Sequence, residues 1–183
     1  MFKKLSVALM LVAVMVLGFA SFASAAPTER TTSAPKGQTI VEIAAGNPNF
    51  STLVAAVAKA GLVDTLNGKG QYTVFAPTNA AFDNLAVALL GPGKNGMDLV
   101  NALPAETLKA VVLYHVAPGE RFSGDVVSSE RIRTLSKGFL FPYLMGEDAY
   151  LQNPKGVAAA QITATDIDAS NGVIHVIDQV LVP

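Results

Sequence analysis

The sequence predicts an α+β domain with a largely antiparallel sheet. Its apolar residues recur at helical spacing between Thr39 and about His115, then at strand-like spacing from Ile132 to Val182. Gly, Asn and Pro turn signals divide the second half into short pieces. Helices first and strands last do not suit a doubly wound sheet, which alternates the two. Gly91-Pro-Gly-Lys94 lacks the spacing and the following Ser or Thr of a phosphate-binding loop.

The helical half begins at Thr39-Ile-Val-Glu42, which fits a capping box. A second helix opens at Asn47 or Asn49, carries Phe50, Leu53, Val54 and Val57 on one face, and ends or kinks at Gly61. Leu62, Val63 and Leu66 form a further turn that Asn67-Gly68 stops. Tyr72 to Ala76 is aromatic and β-branched, as a buried strand requires. Thr78 caps a helix whose apolar stripe is Phe82, Leu85, Ala86, Leu89 and Leu90. Pro104 opens another, with Leu108, Val111 and Val112 on one side. Pro118-Gly119 turns the chain, and a short helix fits around Gly124 to Ser129. Strands are expected near Ile132 to Leu135, Phe139 to Leu144, Ala149 to Gln152, Ala159 to Ala164 and Val173 to Val182.

Before all of these stands an export signal. Lys3 and Lys4 precede an apolar run from Leu5 to Phe19, and Ala23-Ser24-Ala25 matches a signal-peptidase site. The run is short of the roughly 20 residues that span a bilayer, so residues 1–25 read as a cleaved signal rather than an anchor. Residues 26–37 are polar and rich in Pro, Thr and Ser, a flexible leader, and 38–183 form one domain. The signal carries two of the 13 basic residues and none of the 14 acidic ones, leaving a net charge of −3. Its removal also lowers the mean hydropathy of +0.41. The mature chain is therefore expected to hold no transmembrane segment and to bind no nucleic acid, which needs a basic footprint. Arg131, Arg133 and Lys137 are the only local basic cluster and read as the solvated face of a strand.

Zero cysteines and two histidines exclude disulfide staples, thiol nucleophiles and the common zinc sites, and no cofactor or metal is expected. Ser123, His115 and Asp125 offer the residue types of a hydrolytic triad without an elbow motif. Asp166 and Asp168, two apart on a strand, read better as solvent-facing charges near a turn than as a glycosidase pair. The chain reads as non-enzymatic. His115 sits four residues after Val111, and His175 lies within Val173-Ile-His-Val-Ile177, so both read as core histidines. Asn171, Asp166, Asp168 and backbone carbonyls are open as their hydrogen-bond partners. Asn171-Gly172 fits a tight turn that needs positive φ. Asn49-Phe-Ser51 matches a glycosylation pattern that helix capping explains more simply.

Three blocks resemble the fasciclin domain family. They are Tyr72-Thr-Val-Phe-Ala-Pro-Thr-Asn-Ala-Ala-Phe82, Tyr114-His115 followed by Val116-Ala-Pro-Gly119, and the closing run from Thr165 to Pro183. The resemblance covers essentially all of the exported chain. It implies a wedge of about seven β-strands in two sheets with a group of helices on one side, and a non-enzymatic extracellular adhesion or interaction module. It also implies that Tyr114 and His115 are integral to the fold, with Asn171 and His175 as further structural motif residues. The partner is expected to be an extracellular or envelope protein or matrix component. No Arg-Gly-Asp is present; Ser123-Gly-Asp125 lacks the arginine. The sequence departs from the family at Gly138 to Ala160, where Phe139, Leu140, Phe141, Tyr143, Leu144 and Met145 cluster. Side chains alternate along a strand, so some of these must face away from the core and form a candidate contact surface. The alternative occupant of that surface is a lipophilic, carotenoid-like small molecule, as in some algal members of the family.

The exported protein is expected to begin at or near Ala26. Mass spectrometry of the secreted or periplasmic fraction checks this, and intact Met1 in a membrane pellet would contradict it.

Overall fold

The computed structural model describes residues 37–156 and 159–183, so the expected signal and nearly all of the leader lie outside the described residues. Helix α1 (Ile40–Gly46) starts in the expected capping box: Thr39 Oγ1 accepts from Glu42 N, and the Glu42 carboxylate accepts from Thr39 N. A single 3-10 turn, Pro48–Phe50, is capped by Asn47 and leads into α2 (Ser51–Lys59). The α2 amino end has no cap of its own. Asn79 supplies one from a distance, accepting from Thr52 N at 3.0 Å while its amide group donates to Pro48 O. After α3 (Val63–Leu66) come β1 (Tyr72–Pro77) and α4 (Asn79–Leu90), with Thr78 at the expected cap.

The sequence reading missed α5 (Gly96–Ala102), although Asn95 and Asp98 form its capping box. Pro92, Gly93, Asn95 and Gly96 all read as loop residues, and they mask the start of so short a helix. At its far end Lys59 Nζ donates to the carbonyls of Val100 and Asn101, which closes the helix terminus. Helix α6 (Ala105–Tyr114) follows Pro104, with Leu108 and Val112 buried. The strand β2 (Val116–Pro118), also unanticipated, then passes to α7 (Ser123–Ser128). The remaining strands are β3 (Ile132–Arg133), β4 (Phe139–Met145), β5 (Asp148–Gln152), β6 (Ala159–Ala169) and β7 (Gly172–Ile177). Thus β3 and β7 are shorter than expected and β6 is longer.

The seven strands run in the order β2-β1-β7-β6-β5-β4-β3. Every pairing is antiparallel except β1 with β7. The two expected sheets are one hydrogen-bonded series, because β6 belongs to both halves. Its first residues, Ala159 to Gln161, pair with β5, and Ile162 to Ala169 pair with β7 through two register shifts. Those irregularities bend the strand. The two ends of the series approach each other, where Leu135 N donates to Val116 O at 2.8 Å.

Two apolar clusters result. One packs α1 to α6 on the outer faces of β1, β2 and β7, with Phe50, Leu53, Phe82, Leu108, Val74 and Ile174 among its buried residues. The other, including Phe75, Tyr114, Ile132, Leu140, Leu151 and Ile177, fills the interior of the bent sheet. Alternation along β1 sends Val74 and Ala76 to the first cluster and Phe75 to the second. The expected stripe on α4 is only half used. Phe82 and Ala86 are buried, whereas Leu89 and Leu90 in the last turn are exposed.

Asn171 joins three elements at one end of this arrangement. Its Oδ1 accepts from Ile40 N at 2.9 Å, and its Nδ2 donates to Leu66 O at 2.6 Å and Gly68 O at 3.3 Å. Gly172 beside it has φ 147, and a Cβ there would lie 1.8 Å from Tyr72 O, so no other residue fits. Asn171→Ala leaves a buried amide hydrogen and a buried carbonyl unpaired. It should cost about 3 kcal/mol, lowering the melting temperature by roughly 10 °C; thermal denaturation followed by circular dichroism measures this.

Candidate functional site

The candidate contact segment lies on β4, between β3 and β5. Its register sets which side chains share a face. Ile132 pairs with Leu140 and Pro142 with Leu151, and Ile132, Leu140 and Leu151 are buried in the sheet interior. Leu140 is therefore a core residue with 0% exposure, not part of a contact surface. The opposite parity carries Phe139, Phe141, Tyr143 and Met145, paired with Arg133, Gln152, Tyr150 and Asp148. Cross-strand partners project to the same face. The rings of Tyr143 and Tyr150 stack there at 5.4 Å and 20°. The Arg131 guanidinium lies 4.8 Å from the centre of the Phe139 ring, a cation–π contact. Phe139, Phe141 and Tyr143 are half-buried on this outer face.

Leu144 has the parity of the core face, yet it is 57% exposed, and Met145 is 58% exposed. Both sit at the tip of the β4–β5 hairpin, beyond the reach of the interior cluster. Position along the strand, as well as parity, decides burial here. Tyr150 joins the surface although the sequence reading did not include it; the alternation of β5 opposite an aromatic strand was the available signal.

The motif residues occupy the seam between the two clusters. Tyr114 ends α6, donates its hydroxyl to Phe139 O at 2.9 Å, and so ties the helix layer to β4; burial raises its pKa. A Cβ on Gly138 would come within 2.6 Å of its ring, which reserves that position for glycine. His115 is the C-cap of α6 and is buried. Its Nδ1 contacts Val111 O at 2.8 Å and its Nε2 accepts from Leu181 N at 2.9 Å, so the neutral ring with hydrogen on Nδ1 satisfies both. His175 takes the opposite tautomer: Nε2 donates to Arg121 O at 2.8 Å, and Nδ1 accepts a long 3.4 Å bond from Asp166 N. The ring stacks on Phe75, its register partner, at 5.6 Å. Of the partners left open by sequence, backbone groups serve both histidines.

No triad is assembled from Ser123, His115 and Asp125. The Ser123 hydroxyl and amide both donate to the Asp166 carboxylate, and an Asp125 oxygen accepts from Phe122 N. Both His115 nitrogens are committed to the backbone. Asp166 is also not the plain solvent-facing strand charge expected. It lies in the irregular stretch of β6 with φ 60, half-buried, where it anchors the start of α7. No group of His, Cys, Asp or Glu that could hold a metal ion occurs among the described residues.

An apolar cavity of about 40 Å³ lies under α1 and α2, lined by residues such as Ile40, Val57, Leu66 and Ile174, with His115 at its wall. Sites for organic ligands enclose about 300–1,000 Å³. This cavity is a packing defect on that scale.

The model of the fasciclin domain matches residues 48–183. The chain belongs to the fasciclin domain family. It is 42% identical over 145 residues to protein sll1483 of Synechocystis, covering 79% of this chain and 73% of that one. It is 37% identical over 155 residues to transforming growth factor-beta-induced protein ig-h3 of Sus scrofa, 85% of this chain but 20% of that protein. The chain thus spans about a fifth of that much longer relative. Among solved structures it resembles a FAS1 domain pair from the insect cell adhesion molecule Fasciclin I. The TM-score is 0.68 at 17% identity, covering 81% of this chain and 52% of that one. The neighbour shares the fold: helices on one side of a seven-stranded mixed sheet.

Burial pushes the His115 pKa down to about 4, against the opposing pull of the Val111 carbonyl. His175 is lowered as well, by burial first, with the Arg121 carbonyl and the Asp166 charge opposing. The unfolded chain takes up a proton at each ring near pH 6.5, before the folded one does. The contribution of the buried histidines to stability is therefore fully present above that value and is lost as pH drops from 6.5 toward 4. His115 alone accounts for about 3 kcal/mol of the loss. Urea denaturation at pH 7 and pH 4 should show a loss smaller by about that amount in His115→Gln, whose side-chain oxygen can still accept from Leu181 N.

Proposed function

We propose that this fasciclin domain is a non-enzymatic interaction module that works outside the cytoplasm, with the outer face and tip of the β4–β5 hairpin as its contact surface. The observation that carries the reading is the exposure of Leu144 and Met145 beside the half-buried Phe141, Tyr143 and Tyr150. Contiguous apolar surface in water is favourable to cover, and large aromatic side chains dominate protein contact surfaces. Export rests on the amino-terminal signal, and no helix among the described residues is long and apolar enough to cross a membrane. The adhesion role of the structural neighbour's parent molecule supports the same class of activity. The partner is an extracellular or envelope protein or matrix component. A lipophilic ligand is the second occupant considered. The interior cavity of about 40 Å³ is too small to enclose it, and the apolar outer face of the hairpin is the surface proposed for it.

The test is retention of the exported chain on cell-envelope material from the organism that makes it. Phe141→Ser, Tyr143→Ser and Leu144→Ser combined should reduce retention at least about tenfold, equivalent to about 1.4 kcal/mol, with little loss of stability because these side chains are already partly solvated. Leu140→Ala should instead destabilise the fold by about 2–5 kcal/mol and leave retention by the folded fraction unchanged. Unchanged retention in the triple variant would defeat the proposal. A purified protein that carries pigment or lipid would favour the second occupant.

A further inference from the structure

Beside the aromatic side chains, the outer face of β3 and β4 carries a group of cations. Arg133 is the register partner of Phe139, so its side chain projects to the same face. Arg131 already lies over the Phe139 ring. Both arginines are exposed, as is Lys137 at the β3–β4 turn. Among the described residues none of these three side chains is hydrogen-bonded or ion-paired to a carboxylate. The acidic residues of the hairpin, Glu147 and Asp148, follow Met145 at its tip, about 20 Å along the strand from Phe139. Glu130 neighbours Arg131 in sequence without pairing with it. A chain with more acidic than basic residues thus gathers unpaired arginines at the base of its most apolar exposed strand.

We propose that the partner of this face is an acidic protein segment, one with Asp or Glu side chains interleaved with apolar or aromatic ones. The inference rests on the contact-surface reading above and adds its chemistry. Guanidinium groups present paired donors that match carboxylates, and the Phe139 ring holds the Arg131 guanidinium in place before a partner arrives. The ring geometry separates a protein partner from a sugar one. A sugar packs flat on an open aromatic face, but Tyr143 and Tyr150 stack on each other and Phe139 is covered by Arg131. Stacking occupies one face of each tyrosine ring and the guanidinium one face of Phe139, and the phenol hydroxyls suit side chains and carboxylates.

The experiment uses the exported chain and three immobilised probes: a random copolymer of glutamate and tyrosine, poly-L-glutamate and polygalacturonate. The wild type should bind the copolymer best. Affinity should fall steeply as NaCl is raised from about 50 to about 500 mM, since exposed charge pairs are screened over that range. Arg131→Gln with Arg133→Gln should weaken copolymer binding about tenfold with an unchanged melting temperature. The proposal is overturned if the wild type ignores the copolymer, if its binding is insensitive to salt, or if polygalacturonate binds as tightly. It is equally overturned if the arginine variant binds like the wild type. The salt titration needs no variant, so it decides even if the double substitution disturbs folding. Envelope retention separates the two readings. Loss in the Phe141, Tyr143 and Leu144 variant with no effect of the arginine variant keeps the contact surface and removes the acidic partner. No effect of either variant removes both.

Discussion

Strand β7 lies between β1 and β6, so the last strand of the chain fills the middle of the sheet and pairs in parallel with the first. Parallel neighbours cannot be joined by a tight turn. Here the long stretch from Pro77 to Gly172 separates them, and it supplies the remaining helices and strands. Four of the motif positions serve this one pairing. Gly172 lets β7 begin against the Tyr72 carbonyl, Asn171 anchors the α1 start and the α3 end beside it, and His175 stacks on Phe75 within it. His115 then holds the segment that leaves β7, through Leu181 N. Buried polar groups at a junction cost stability unless each is bonded, and these are bonded to backbone groups, most of them far away in sequence.

That arrangement explains how two histidines are accommodated inside an apolar protein. Each ring is neutral, and each is fixed in one tautomer by backbone partners. Acid attacks such a structure through its core, because the unfolded rings accept protons more readily than the folded ones. The outer face of the hairpin follows a different rule. Its side chains are not required by either apolar cluster, so aromatic and cationic residues can gather there without disturbing the pairing of β1 and β7.

The sequence determined the capped starts of α1 and α4, the buried strand at Tyr72 to Ala76, and the family, because these depend on local patterns of capping and period. It also led to the expectation that some side chains between Phe139 and Met145 face away from the core. Which side chains those are, and that Leu140 belongs to the core while Leu144 escapes it, came from the register with β3 and β5 and from how far the hairpin extends past the interior cluster. Helix α5 and strand β2 were illegible because each is short and bounded by loop-forming residues. Asn79 capping α2, Tyr114 bonding Phe139 O and Arg131 covering Phe139 join residues brought together only by folding. Periodicity reports what a side chain does along its own element. Only the tertiary structure decides which distant backbone group or ring it meets.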